Sequence, residues 1–292
     1  MTKKLLVTGA SGFLGSNLCR IAADTWDVIG TVHSHPLTIP GVRMIRSDIT
    51  CFSDLKKIFT ESAPDAVIHA AAVSRPEICQ IEPVRTHKVN VDASINLAGL
   101  CAEHGIPCVF TSSDLVFDGL NPPYKEKDPV SPVNRYAEQK VCAELGMTDR
   151  YPHATICRMP LMFGAAPPHA SSSLQPIICA MRSGCKIKLF TDEYRTPVSA
   201  GSAAGGLLLA LGHPGNLYHL GGSERLSRFE FGKMAARLFK LDDAFLIPCL
   251  AKEVQTATPR VPDVSLNSCK ARAMGFLPLS VEEELKQLKD II

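Results

Sequence analysis

Leu5-Leu6-Val7-Thr8-Gly9-Ala10-Ser11-Gly12-Phe13-Leu14-Gly15 decides the fold of this chain. An apolar run ends in three glycines spaced Gly9-x-x-Gly12-x-x-Gly15. Phe13, Leu14, Leu18, Ile21 and Ala22 then recur at the period of a helix that buries one face. A buried strand that turns at once into a helix needs its first glycine for the tight turn. The second lets the backbone approach a pyrophosphate, and the third lets the helix pack closely on the strand. The helix N-terminus then faces the phosphate charge. A glycine triplet alone is a weak signal, but a strand before it and a helix behind it make it informative. The stretch predicts a dinucleotide site built from Gly9, Ser11, Gly12, Phe13, Leu14 and Gly15.

The pattern continues outward from there. Residues 27–32 read as a second strand, 42–45 as a short third, 65–70 as a fourth and 108–111 as a fifth. A long helical pattern covers 84–103. Near-continuous apolar strands separated by helices predict a doubly wound parallel α/β sheet covered on both faces. After Arg158-Met159-Pro160 the regularity loosens, and a Pro/Ala/Ser/His-rich loop spans 165–173. The expected division is a dinucleotide-binding domain over 1–165 and a smaller α/β substrate domain over 166–292. Segment 196–221 is expected to return to the first domain, because a helix of small residues (200–211) is followed by the strand-like Leu217-Tyr218-His219-Leu220.

Composition narrows the class. Hydrophobic content of 46% and charged content of 21% in 292 residues are those of a globular protein. A net charge of +2 gives no reason to invoke nucleic acid or a membrane surface. Lys3-Lys4 before an apolar run imitates the start of a secretion signal, but Thr8-Gly9 interrupts that run, and no stretch approaches a membrane span. The 11 cysteines form no CxxC pair, which argues against zinc and a thioredoxin-type motif. An odd count without a secretion signal implies reduced thiols and a cytoplasmic protein.

Tyr136 and Lys140 form a Tyr-x-x-x-Lys pair. Ser131 is expected to cap a helix, with Pro132 in its first turn, running towards Gly146. The i, i+4 spacing places both side chains on one face. Lys140 is expected to lower the Tyr136 pKa from about 10 towards neutrality, making the phenol a usable proton donor. The pair alone also fits an exposed helical tyrosine beside an unrelated lysine. Support comes from Thr111-Ser112-Ser113, at the carboxyl end of the fifth strand, where open α/β sheets bind ligands. Ser113 is placed to hydrogen-bond the oxygen that Tyr136 protonates.

In these and further motifs the chain resembles the extended short-chain dehydrogenase/reductase family. The matches are Gly9-x-x-Gly12-x-x-Gly15, His69-Ala70-Ala71, Asn90-Val91, Ser112-Ser113-x-x-Val116-Phe117, Tyr136-x-x-x-Lys140 and Arg158-x-Pro160. Ser113-Asp114-Leu115-Val116-Phe117-Asp118-Gly119, Tyr218-His219-Leu220-Gly221-Gly222, the segment 227–231 and Pro262-Asp263-Val264 are most similar to the dTDP-4-dehydrorhamnose reductase branch. The resemblance implies hydride transfer from a nicotinamide to a sugar carbonyl while Tyr136 donates the proton. Lys140 would hold the nicotinamide ribose, and Ser113 would polarise the carbonyl. It places Asp48 and Ile49 at adenine, lines the cofactor with Ala70, Ala71 and Ala72, and matches Asn90 to a family asparagine. A helix-surface amide is the other reading of Asn90.

The second strand ends Val32-His33-Ser34-His35, without the carboxylate that would hold an NAD ribose. The sequence therefore favours NADP, with His33 and Ser34 as donors to a 2′-phosphate, and leaves NAD open. No arginine stands at the usual place. Arg195 falls where relatives bring a loop back near substrate and has two readings, a partner for a nucleotide-sugar phosphate or a surface ion pair with Asp192 or Glu193. Arg260 has the same two readings. Some of these reductases hold magnesium at a dimer contact, but Asp192-Glu193, the only nearby acidic pair, reads as a solvated turn, and no metal is expected. His69 reads as the end of a core strand, His169 as part of a mobile loop, and Trp26 as packing. Relatives often pair through the two helices that here carry Asn90 and Tyr136, which implies a homodimer, although nothing in the sequence fixes the assembly. Two rival functions stay open: a nucleotide-sugar epimerase or dehydratase with tightly held NAD, and a non-catalytic NADP-binding regulatory subunit.

Overall fold

The computed structural model describes residues 2–289 and residue 291. The glycine stretch folds as its spacing predicts, β1 (Lys4–Thr8) turning into α1 (Phe13–Ala22). Next come β2 (Asp27–Val32), β3 (Val42–Arg46), α2 (Phe52–Ser62), β4 (Ala66–His69), α3 (Pro76–Ile81) and α4 (Pro83–His87). A π-helical turn, Lys88–Asp92, leads into α5 (Ala93–His104), β5 (Cys108–Ser113), α6 (Arg135–Arg150) and β6 (Thr155–Met159). The rest adds β7 (Met162–Phe163), α7 (Gln175–Arg182), β8 (Ile187–Phe190), β9 (Tyr194–Arg195), β10 (Val198–Ser199) and α8 (Ala200–Ala210). It closes with β11 (Leu217–His219), β12 (Leu226–Ser227), α9 (Arg228–Phe239), β13 (Leu246–Cys249), α10 (Cys269–Ala273) and α11 (Val281–Leu288).

Seven strands form one sheet in the order β11-β6-β5-β4-β1-β2-β3, with every pair parallel. The order in which strands are added reverses between β1 and β4, so their carboxyl ends open the crevice in which such sheets bind ligands. Alternate residues of β1 serve the two faces. Leu5 and Val7 pack with Leu18, Ile68 and Leu207, whereas Leu6 packs with Phe59, Phe110 and Met147. The small residues Ala203 and Ala204 of α8 join Leu14 and Leu18 of α1 in the first cluster. Trp26 packs partly buried against it. A separate core around Phe163, Ile177, Leu189, Phe231, Leu246 and Leu285 holds α7, β8, α9, β13 and α11 together.

Two local expectations are corrected. Helix α6 begins at Arg135, not near Pro132, and continues to Arg150. Asn134 Oδ1 caps the helix, accepting from the Ala137 N–H at 3.0 Å, while the Ser131 side chain hydrogen-bonds to Asp118 and its N–H to Val116 O at 2.8 Å. The long helix starts at Pro83 and carries a π turn. Asn90, within that turn, is 1% exposed, which rules out a helix-surface amide. Its Oδ1 accepts from the Val73 N–H at 2.8 Å, and its Nδ2 donates to Val73 O at 3.1 Å and Gln139 Oε1 at 2.8 Å.

All 11 cysteines are free. Among the described residues no helix is long and apolar enough to cross a membrane, and no group of three or more His, Cys, Asp or Glu side chains is gathered to hold a metal ion.

Candidate active site

Two cavities meet at Gly9 and Gly12. Gly9 takes φ +71°, and a Cβ there would lie 2.7 Å from Ala71 Cα. A Cβ on Gly15 would lie 2.2 Å from Gly9 O, so α1 sits against the loop with no room for a side chain. One cavity, of ≈ 540 Å³, is bounded by Ser11, His33, Ser34, Asp48 and Ile49, with Ala70, Ala71 and Ala72 between it and the second. The second, of ≈ 470 Å³, is bounded by Phe13, Leu14, Gly15, Ser113, Tyr136 and Lys140. A dinucleotide has the matching two-part shape, with its pyrophosphate at the glycine loop. The buried Ser47 hydroxyl on the first cavity has no hydrogen-bond partner, leaving an open polar contact on the adenosine side. His33 Nδ1 lies 2.8 Å from Ser34 Oγ, and Asp48 is tied to the Thr50 N–H and hydroxyl, which hold its carboxyl below its usual pKa. Asn90 lines neither cavity and acts through Val73. Arg85 and Lys88 stand on the wall of the first cavity, cations not found from the sequence because they lie on a helix remote from the second strand.

The second cavity brings Ser113, Tyr136 and Lys140 together. Tyr136 and Lys140 project from α6 with the predicted spacing, and both are buried. Lys140 Nζ donates to Thr111 O at 2.8 Å and lies 4.5 Å from the Phe110 ring centre and 5.9 Å from that of Tyr136. Burial pulls the Lys140 pKa down to about 8, with Glu144 opposing. Tyr136 departs from expectation. Burial, reinforced by the Asp114 charge, pushes its phenol above its ordinary pKa, and hydrogen bonding with Ser113 only partly opposes this. The resting phenol is therefore fully protonated, and a weaker acid than a solvated tyrosine. Ser113 Oγ donates to Asp114 Oδ1 at 3.2 Å and accepts from the Leu115 N–H at 3.2 Å.

The far end of this cavity is charged. Arg195 lines it, but its two sequence readings fare differently: it is buried and makes no ion pair with Asp192 or Glu193. Its Nη1 donates to Tyr194 O at 2.7 Å and to Val261 O at 3.3 Å, and its Nε lies 3.8 Å from Asp114 Oδ2. Glu193 is 2% exposed and paired with Arg260, whose side chain is 36% exposed, so the carboxylate expected in a solvated turn is buried against a partly exposed arginine. Arg228 Nη1 is buried without a partner, and burial, with Arg195 adding, lowers its pKa to about 10. Sequence reading missed Asp114 and Arg228. The signal for Asp114 was its place beside Ser113, and for Arg228 its place in the segment 227–231.

Asp114 gives a measurable pH effect. Its Oδ2 is buried without a hydrogen-bond partner, and burial raises its pKa from 3.8 to about 6, with Arg195 opposing. A carboxyl whose pKa is higher in the folded state binds extra protons there, so stability contributed by the neutral form is lost as pH rises from about 4 to 6. Asp114→Asn should remove that loss. In urea unfolding, the variant should gain on wild type by about 2 kcal/mol across this window, and parallel pH profiles would show Asp114 to be unperturbed.

Comparison with known proteins agrees with this geometry. The chain is 28% identical over 288 residues to methionine adenosyltransferase 2 subunit beta of Xenopus laevis, covering 94% of this chain and 83% of that protein. It is 28% identical over 293 residues to the probable low-salt glycan biosynthesis reductase Agl14 of Haloferax volcanii, covering 97% and 96%. The dTDP-4-dehydrorhamnose reductase of Bacillus anthracis, solved in complex with NADP, superposes with a TM-score of 0.88 at 21% identity and 100% coverage of both chains. The family model described as "RmlD substrate binding domain" matches residues 3–291, nearly the whole of the sheet, the cleft and the outer lobe. The early motifs and the later ones thus belong to a single pattern, and the chain is a member of that family within the extended short-chain dehydrogenases/reductases.

Proposed function

We propose that this chain is an NADP-dependent reductase of a 4-keto-6-deoxy nucleotide sugar, with dTDP-4-dehydrorhamnose as the first substrate to test. The observation that carries this reading is the buried trio Ser113, Tyr136 and Lys140 in a cavity that meets the first one at Gly9 and Gly12, the two together having the two-part shape of a dinucleotide. When bound, NADPH supplies the hydride. Tyr136, kept protonated by burial, gives its proton to the carbonyl oxygen, and Ser113 turns its hydroxyl from Asp114 to the same oxygen. Lys140 holds the ribose with the donors it does not spend on Thr111. At the far end Arg195, Arg228 and Arg260 meet the nucleotide diphosphate, which gives the unpaired Arg228 Nη1 its acceptor. In this division of labour residues 1–165 with 196–221 hold the cofactor and 166–292 the sugar nucleotide. NADP is favoured over NAD because no carboxylate follows β2 and Asp48 is engaged by Thr50. A relative named as a reductase supports the reductase reading, and a structural neighbour solved with NADP supports the choice of NADP.

The test is to add dTDP-4-dehydrorhamnose to protein and NADPH and follow the absorbance of the reduced nicotinamide. Stoichiometric oxidation is expected. Turnover of a nucleotide sugar with no net cofactor change would overturn the reductase in favour of an epimerase or dehydratase. A second reading is favoured by one observation, the likeness across 94% of the chain to a subunit of methionine adenosyltransferase. A non-catalytic partner subunit would leave NADPH unoxidised with every keto-sugar and copurify stoichiometrically with a catalytic chain.

A further inference from the structure

Residues 164–173 leave β7 and cross the molecule instead of looping into solvent. Asn17 Nδ2, on α1, donates to Ala165 O at 2.8 Å. Ser172 Oγ donates to Gly164 O at 2.9 Å, and Ser173 Oγ to Met162 O at 2.7 Å, so the segment is pinned at both ends. Between the pins, Pro167-Pro168 stiffens the chain and the Ala170 N–H closes a turn on Pro167 O at 2.9 Å. At the tip His169 Nε2 lies 2.7 Å from Ser11 O, and since a carbonyl only accepts, the imidazole is the donor. The His169 ring also stacks on His35, with centroids 4.6 Å apart and planes 6° from parallel.

The position of this contact gives it meaning. Ser11 and His35 border the adenosine-side cavity, and Ser171 borders the nicotinamide-side cavity. Gly9 and Gly12 border both. The segment therefore passes over the seam between the cavities, where the pyrophosphate of any dinucleotide filling both must lie. The strap starts at Gly164, whose φ of +146° suits glycine and little else, so its hinge end is set by the backbone.

We infer that His169 is a cofactor-positioning residue, the clasp by which residues 164–173 close over the pyrophosphate of a bound dinucleotide; this rests on the dinucleotide reading above. The contact spans the glycine loop and the outer lobe, so the clasp must open for the dinucleotide to enter and to leave. His169 acts through Ser11, and His35 is its stacking partner.

Stopped-flow measurement of NADPH binding and displacement by the full chain tests this without any sugar substrate. His169→Ala should speed release ~10-fold, the scale of one hydrogen bond plus one ring contact. Association should quicken as well, so that affinity falls less than release accelerates, and the thermal midpoint should stay near wild type. His169→Gln, which keeps an N–H donor and loses the ring, should lie between the two. His35→Ala should speed release in the same direction. Unchanged release in His169→Ala would overturn the clasp, as would faster release with unchanged association, which marks a simple contact. Failure of wild type to bind either NADPH or NADH would overturn the dinucleotide reading itself.

Discussion

Tyr136→Phe should lower turnover by ~10²-fold or more while leaving NADPH affinity near wild type. The substitution deletes one hydroxyl and little volume from a side chain that is 7% exposed, so neither the core nor the cofactor cavity loses a wall. Loss of the proton donor leaves the carbonyl with Ser113 alone, and Ser113 is already shared with Asp114 at 3.2 Å. Because burial and Asp114 hold the phenol protonated, wild-type activity should not decline as pH falls through the neutral range on account of Tyr136. Lys140→Met is the contrasting case, since it should lose turnover and weaken NADPH binding together. Steady-state rates and cofactor titrations of the two variants make the comparison. A Tyr136→Phe protein with near-native turnover would show that the proton comes from another group.

Glu144→Ala should cost stability on the scale of ~3–5 kcal/mol, the effect of leaving a buried charge unpaired. Glu144 follows Tyr136 and Lys140 by further helical turns and shares their buried face of α6. Its carboxylate takes two parallel bonds from Arg158 of β6, Nε at 3.0 Å and Nη2 at 2.8 Å, with both side chains at most 8% exposed. Arg158 is also set against the Phe117 ring, 5.0 Å from its centre, so it cannot swing into water to recover its solvation. The pair fastens α6 to the sheet, and its loss should also misplace Tyr136. Urea unfolding measures the first effect. Replacement of both residues by apolar ones of similar size should recover much of the loss, which separates charge burial from packing. A drop below ~1 kcal/mol would mean that water reaches Arg158.

The sequence by itself determined the parallel sheet, the glycine turn and the common face of Tyr136 and Lys140, because each depends on spacings within a few residues. An apolar run, a glycine at φ +71° and an i, i+4 pair are local matters of backbone geometry. The same locality explains its errors. Ser131-Pro132 has the form of a helix start, but the fold brings Asp118 to the Ser131 side chain and Val116 to its N–H, and Asn134 becomes the cap. Asn90 has the form of a surface amide until a π turn points it at Val73 and Gln139. Only the tertiary structure decided the electrostatics of the cleft. Glu193 pairs with Arg260 across 67 residues, and Arg195 reaches Val261 across 66. His169 meets Ser11 across 158. The direction of the Tyr136 shift, opposite to the one its lysine neighbour suggests, belongs with these. It is set by how much water the packed cleft excludes and by Asp114 beside it, and the spacing of residues along the chain carries no measure of either.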